Sequence, residues 1–280
     1  MPKDTVKNDI KGFWGSLYYS LYDGIDQKLN QAQLLEALDQ LEDMFRFRNH
    51  MAVAEMPLDN LSGKRVLEIG PGSGGHSALF AKYGAMVTSA DITLIRATST
   101  QFKFRLLGEI TDGCQAIQSD AEHLPFNDNS FDIVYSNGVL HHTSDSQGAV
   151  AEVYRVLKPA GEAIIMLYCK SSWHYWINLF LAVGILQGRL FTDRNWLGRA
   201  TEWGGKNLQT IENPITRCYK RSEIEKLFKR FQFQKLRKGE FYFYLIPKFG
   251  RAYRRWQIKN TVFIIVRCSS MRNLGQPSHV

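Results

Sequence analysis

The sequence is poor in cysteine and has no uninterrupted apolar run long enough to cross a membrane. Its 280 residues contain four cysteines that show neither C-x-x-C nor metal-ligand spacing: Cys114, Cys169, Cys218 and Cys268. This spacing predicts reduced thiols in the cytoplasm rather than a disulfide framework. The densest apolar stretch, 173–186, contains Asn178 and is shorter than the roughly 20 residues that a membrane span requires.

Other signals are missing as well. No cluster of carboxylates and histidines suggests a metal site, so no metal is expected. The first residues are polar and charged, which argues against a secretory signal peptide. The chain has no internal repeat and no low-complexity tract.

Positive charge is concentrated in the last quarter of the chain. The formal net charge is +8, and residues 207–280 hold sixteen Lys/Arg against four Asp/Glu, so the first 206 residues carry a net −4. The segment 248–259 combines cations with Phe249, Tyr253 and Trp256, and no acid follows Glu240. This pattern predicts an anionic acceptor or peripheral contact with a membrane through 248–259, although a solvated basic loop is an alternative. No nucleic-acid partner is expected, because the tail lacks a recognised binding motif.

A glycine-rich turn follows the first apolar strand. The run Val66–Ile69 enters the turn and an amphipathic segment leaves it, which predicts a strand, a tight loop and a helix. Gly70, Gly72 and Gly75 also fit a dinucleotide site, so the glycines alone do not choose the ligand. Glu68 decides, because a carboxylate before the loop would repel a pyrophosphate and suits the ammonium group of S-adenosylmethionine (SAM).

Polar side chains stand at the ends of the following strands. The strand 86–90 ends at Asp91, whose two carboxylate oxygens can accept both hydroxyls of a ribose. A third strand leads to Asp120, which is placed to accept a hydrogen bond from an adenine amino group. The fourth strand, Phe131–Asn137, and a fifth, Ala163–Tyr168, complete an alternating pattern that predicts a parallel sheet.

The combination of motifs resembles the class I SAM-dependent methyltransferases, and within them the type 11 methyltransferase-domain group. The motifs are E-x-G-x-G-x-G at 68–74, D-A-E-x-L-P-F at 120–126 and E-x-x-R-V-L-K-P at 152–159. The resemblance implies an α/β fold with a Rossmann-like, seven-stranded sheet, helices on both faces and an antiparallel last strand. One departure is Ala160, where the family usually has glycine; we expect little cost in a surface turn. The resemblance and the strand ends together predict these SAM-binding residues: Glu68, Gly70, Gly72, Gly74, Asp91, Ile92, Asp120, Ala121 and Asn137.

Four regions are predicted along the chain. Residues 1–60 form an N-terminal helical cap, 61–170 the SAM-binding core, 171–220 an insertion that covers the substrate, and 221–280 the rest of the sheet with a basic insertion. The aromatic residues of the cap either dock its helices on the sheet or close over the cofactor. The apolar patch of the insertion either covers the active site or contacts a membrane.

Two histidines and three further side chains are candidates for the reaction and the acceptor site. His141 and His142 follow the fourth strand, where the transferred methyl should lie, and either could be a general base. Alternatively, they pack under the cofactor and orient the loop. Tyr19, Arg217 and Tyr219 are candidate substrate-binding residues, although the last two also fit an ordinary turn before a helix.

The predicted function is SAM-dependent methyl transfer to a small molecule or a glycan, at oxygen or nitrogen. A lipid or lipid-linked acceptor at the membrane surface is the alternative. A nicotinamide-dependent oxidoreductase and a non-catalytic binding module are less consistent with the motifs. The sequence does not give the oligomeric state.

Overall fold

The computed structural model describes residues 3–22, 28–172, 174–201, 213–239 and 263–271. Within them a single mixed sheet is formed. Its strands are β1 Arg65–Ile69, β2 Met86–Asp91, β3 Gln115–Gln118, β4 Phe131–Asn137, β5 Leu157–Cys169, β6 Cys218–Tyr219, β7 Phe231–Gly239 and β8 Phe263–Ser270.

The sheet has the predicted parallel core and an eighth, short strand. Seven strands lie in the order β3-β2-β1-β4-β5-β8-β7, and the short β6 pairs with β5 beside this path. All pairs of neighbouring strands among β1 to β5 are parallel, whereas β8 runs antiparallel to both β5 and β7. The expected antiparallel last strand is therefore confirmed, and β6 is an addition.

Helices cover both faces of the sheet, as predicted. They are α1 Lys3–Tyr22, α2 Gln31–Arg48, α3 Met51–Ala54, α4 Gly75–Lys82, α5 Leu94–Leu107, α6 Ser146–Val156, α7 Arg189–Thr192, α8 Trp196–Thr201 and α9 Arg221–Leu227. A wide π-type helix, His174–Leu186, lies between β5 and α7, and we call it the cover helix. No helix of the described ranges is both long enough and apolar enough to span a bilayer.

The central strands are buried on both sides, because successive side chains point to opposite faces. Ala163, Ile165 and Leu167 of β5 face a core that α6 and α9 complete. The alternate residues Ile164 and Met166 face a second core with α2, α4 and α5. Helix α2, from the predicted cap, is therefore part of the protein's main packing.

The turn that contains Ala160 differs from the expectation. Strand β5 begins at Leu157 rather than Ala163, because Leu157 already pairs with Phe131 before a bulge. Ala160 is exposed, as expected, but its φ is +59°, in the left-handed region that favours glycine. The missing glycine therefore has a conformational cost that the sequence analysis did not anticipate.

Two predictions lie outside the described residues. The basic segment 248–259 is one, and the side chain of Tyr19 is the other. The predicted boundaries at 60, 170 and 220 stay predictions.

Candidate active site

A cleft opens at the carboxyl ends of β1, β2 and β4, with about 750 Å³ of empty space including its mouth. The strands of a parallel sheet end at one edge, so the residues that follow them meet there. Helix α1 adds Lys7, Ile10 and Trp14 to the walls. Seven of the nine predicted SAM-binding residues line the cleft: Gly70, Gly72, Asp91, Ile92, Asp120, Ala121 and Asn137.

Two glycines of the loop, Gly70 and Gly74, are packed too tightly to carry a side chain. Gly70, Gly72 and Gly74 have φ values of +71°, +57° and +79°, which L-residues rarely adopt. A Cβ on Gly70 would lie 2.2 Å from a methyl carbon of Val139, and one on Gly74 would lie 2.8 Å from the Thr100 hydroxyl oxygen. The bare main chain therefore forms this wall, and Gly74 leads into the N-terminus of α4.

Glu68 lies behind the loop and does not line the cleft. Its side chain is fully buried, and its carboxylate accepts a hydrogen bond from Ser77. The Nδ1 atom of His76 is 3.3 Å from the other carboxylate oxygen, and Ser77 also contacts Ser89 at 2.6 Å between hydroxyl oxygens. The carboxylate thus ties β1 to the start of α4, and a contact between Glu68 and SAM stays a prediction.

Asp91 is held in position by the next turn. Its Oδ1 atom accepts from the backbone N–H and from the hydroxyl of Thr93, both at 2.8 Å. Burial raises the pKa of Asp91 above its ordinary value, although the two Thr93 bonds act in the opposite direction. Because both bonds to the described residues use Oδ1, Oδ2 remains as an acceptor in the cleft wall.

Asn137 offers a second acceptor. Its Oδ1 atom is buried and has no hydrogen-bond partner among the described residues. A buried amide oxygen without a partner costs stability, so a ligand that donates to it is favoured. An ammonium group is such a donor. The glycine loop and Asn137 therefore fit SAM.

Asp120 is already paired in this structure. Lys7 Nζ of α1 lies 2.5 Å from an Asp120 oxygen and 2.9 Å from a Glu122 oxygen. Burial acts to raise the pKa of Asp120, but the Lys7 hydrogen bond and charge outweigh it and hold the pKa below its ordinary value. With His123 these acids form the one group of possible metal ligands in the described parts of the chain, and Lys7 places a cation there.

The two adjacent histidines have different environments. His141 is fully buried outside the cleft lining, and its ring nitrogens have no hydrogen-bond partner within the described residues. Burial, followed by the nearby His142, moves the pKa of His141 far below its usual range, so it stays neutral. Its ring centre lies 3.9 Å from that of Tyr168, which indicates a packing role.

His142 lines the cleft and is held from behind. Its Nδ1 atom is 2.9 Å from the carbonyl oxygen of Ile215, 3.1 Å from the Asn213 side-chain amide nitrogen and 3.2 Å from the Thr216 hydroxyl. A carbonyl only accepts, so the shortest contact assigns the proton to Nδ1. In the neutral ring, Nε2 then carries the lone pair. The Trp14 ring lies 5.1 Å from the His142 ring.

Arg217 and Tyr219 support the site from outside. Arg217 donates to the backbone carbonyls of Thr143 and Ser144, which both line the cleft. Tyr219 lies in β6, and burial raises its pKa. Neither side chain lines the cleft, and their contact with substrate stays a prediction.

Sequence reasoning missed Lys7, Ile10 and Asn213. Lys7 and Ile10 are three residues apart on α1, the spacing of one helix face, but nothing local indicates what that face meets. Asn213 is buried 71 residues from its partner His142. A buried asparagine next to a proline gives no signal of such a contact.

Comparisons with known proteins bear on the same region. Residues 67–165 match a family described as a methyltransferase domain. Over 138 residues the chain is 32% identical to the ubiquinone/menaquinone biosynthesis C-methyltransferase UbiE of Haemophilus ducreyi, which covers 47% of this chain and 53% of that protein. Over 148 residues it is 31% identical to the sterol 4-C-methyltransferase strm-1 of Caenorhabditis elegans, covering 53% and 41%. The chain thus spans about half the length of these relatives.

Solved structures agree on the fold. A SAM-dependent methyltransferase from Methanosarcina mazei has a TM-score of 0.54 at 21% identity, covering 76% of this chain and 94% of that one. The [4+2]-cyclase SpnF has a TM-score of 0.51 at 15% identity, covering 75% of each chain. Because that fold also serves a cyclase, the likeness does not fix the reaction. Residues 67–165 match the methyltransferase-domain family, and together with the motifs this match identifies them as a class I SAM-dependent methyltransferase domain whose cofactor is SAM.

Proposed function

We propose that the protein transfers the methyl group of SAM to a carbon atom of a lipophilic acceptor. UbiE and strm-1 are both named as C-methyltransferases, and a further relative, 31% identical over 129 residues, is the cycloartenol-C-24-methyltransferase 1 of Oryza sativa. These names favour carbon over the oxygen or nitrogen expected from the sequence. The quinones and sterols in these names are lipophilic molecules.

The observation that carries the proposal is the wall of the cleft around His142. Ile10, Trp14 and Val139 present apolar surface there, and His142 is the one histidine among the described lining residues. An apolar wall suits an apolar acceptor, because burial of both surfaces is favourable. A single oriented imidazole suits the removal of one proton.

Cofactor binding is assigned to the lining residues. We propose that Asp91 accepts from the ribose hydroxyls, Asn137 from the ammonium group and Asp120 from the adenine amino group. The glycine loop provides the close main-chain wall. Bound SAM supplies an electrophilic methyl group on a sulfonium.

The chain's own groups then align the acceptor and accept a proton. The acceptor carbon uses a π electron pair to form the new carbon–methyl bond, and the pair of the broken sulfur–methyl bond stays on sulfur. The proton that the carbon loses goes to Nε2 of His142, while Ile215 holds the Nδ1 proton. Alignment and exclusion of water account for most of the acceleration, and Trp14 on α1 is placed to close this side of the cleft.

The proposal is tested by comparing His142→Gln with the wild-type chain. Transfer from methyl-labelled SAM is measured on a panel of isoprenoid quinols, sterols, sugars and amines, and NMR locates the new methyl. We expect a carbon–methyl product from an apolar acceptor, and a turnover lower by roughly 10²–10⁴ in His142→Gln at unchanged SAM affinity. Labelling of sugars or amines alone would contradict the acceptor class. Full turnover in His142→Gln would exclude the base.

A further inference from the structure

The cover helix is apolar on the side that faces away from the protein. Its inner residues Tyr175 and Leu179 are buried. Large apolar side chains at a spacing of about four residues are instead exposed on the outer side, and the following turn and α7 continue this surface: Trp176, Ile177, Leu181, Ile185, Leu186 and Phe191. We call these six residues the outer patch.

Such a surface is unusual for a helix in contact with water. A surface helix of a soluble protein has a polar outer side, and a helix that is apolar all round is covered by protein or lipid. Contiguous exposed apolar patches mark interaction sites. The outer patch combines aromatic and aliphatic side chains, and Leu186 and Phe191 are each 75% exposed.

Along the sequence, cations outnumber acids on both sides of the outer patch. No acid occurs between residues 171 and 192, whereas Lys170 precedes the cover helix and Arg189 and Arg194 follow it. The next acid, Asp193, pairs with Arg199 at 3.0 Å. An apolar surface flanked by cations is complementary to an anionic lipid surface, where cations contact head groups and tryptophan occupies the interface.

The outer patch is connected to the cleft through packed residues. A Cβ on Gly184 of the cover helix would lie 3.5 Å from the Trp196 ring, so α8 packs directly against this helix. Thr201 at the end of α8 donates to the Thr216 hydroxyl at 2.9 Å. Thr216 in turn contacts His142. Only α8 and the segment that contains Thr216 therefore separate the cover helix from His142, the candidate base.

We propose that the outer patch binds the surface of an anionic lipid bilayer and holds the cleft next to a membrane-dissolved acceptor. The role of this membrane contact in delivering the acceptor rests on the proposed function, because an apolar acceptor dissolves in the bilayer rather than in water. The binding surface itself rests on exposure and charge.

The test is flotation of the full chain with lipid vesicles. One variant, Leu186→Gln with Phe191→Ser, removes two outer-patch side chains. The control variant, Leu94→Gln with Phe47→Ser, removes two of the same types that are 61% and 73% exposed on other helices. Vesicles of phosphatidylcholine with and without phosphatidylglycerol are compared at low and high salt, and SAM calorimetry verifies that each variant is folded.

We expect the wild type and the control to float with phosphatidylglycerol vesicles, and less at high salt. The outer-patch variant should lose roughly tenfold or more in partition coefficient, since each side chain buries apolar surface. Equal losses in both variants, or no flotation of the wild type, would overturn the proposal. The proposal would also fail if the wild type bound no vesicles but formed a dimer, detected by light scattering, that the outer-patch substitutions alone dissociate. If vesicle binding holds but no lipophilic acceptor is methylated, the proposed function fails and the membrane surface stands.

Discussion

Gly70 and Gly63 form a natural pair for testing whether the cleft depends on the close approach of the glycine loop. Both have φ = +71°, so an alanine at either position is held at a positive φ that L-residues rarely adopt. A Cβ on Gly63 has nothing within 4 Å, whereas one on Gly70 lies 2.2 Å from Val139 Cγ2 and 3.0 Å from Cγ1. Gly63→Ala therefore measures strain alone, and Gly70→Ala measures strain together with overlap.

The structure sets the size of each effect. The left-handed conformation costs an alanine about 1–2 kcal/mol relative to glycine. Overpacking adds about 1–3 kcal/mol, so we expect the free energy of unfolding to fall by that much more in Gly70→Ala than in Gly63→Ala. Val139 and Gly70 both line the cleft, so their displacement should also weaken SAM binding by about tenfold or more.

Urea unfolding and calorimetry with SAM measure the two quantities. Val139→Ala in the Gly70→Ala background should recover part of the lost stability, because it removes the two methyl groups that the new Cβ meets. Gly63→Ala should leave SAM affinity unchanged. If Gly70→Ala matched Gly63→Ala in both stability and affinity, the close approach would have no bearing on the site.

Two further outcomes follow from single residues. Ala160→Gly should raise the free energy of unfolding by about 1 kcal/mol, because Ala160 has a φ of +59°; a lower urea midpoint would contradict this. His50 is buried, and burial, followed by the charge of His76, lowers its pKa to about 2. Below about pH 6.5, His50 becomes protonated in the unfolded chain but stays neutral in the folded chain. The free energy of unfolding should therefore fall on acidification by up to about 1.4 kcal/mol per pH unit. His50→Asn keeps an acceptor for the Ala52 N–H, which His50 Nδ1 accepts at 3.1 Å, and should reduce the loss between pH 7 and 5.5 by about 1 kcal/mol; an unchanged loss would exclude His50 as its source.

The strand ends were predictable from the sequence because their signals are local. The strand Phe131–Asn137 has the predicted bounds, and β2 ends at Asp91 as expected. In a parallel sheet such ends meet at one edge, so Asp91 and Asn137 could be placed together before any coordinates were known.

Residues that act through distant partners were beyond the sequence. Glu68 belongs to the predicted motif, yet Ser77 and His76 hold its carboxylate behind the loop. Arg217 is a predicted substrate-binding residue, and its hydrogen bonds to the carbonyls of the 143–144 loop could not be read from its own neighbours in the sequence. The periodicity of apolar residues indicates which side of a helix or strand is buried, but it does not indicate which distant residues contact that side.

The sequence by itself determined the sheet, the glycine loop and the acids at its edge, since strand patterns and positive-φ turns depend on neighbouring residues. The tertiary structure decided which of two adjacent histidines reaches the cleft. His141 and His142 are indistinguishable in the sequence, but His141 is enclosed beside Tyr168, and the Ile215 carbonyl and the Thr216 hydroxyl hold His142 in the wall. The contacts of His142 join residues more than 70 positions apart, and only the packed chain brings them together.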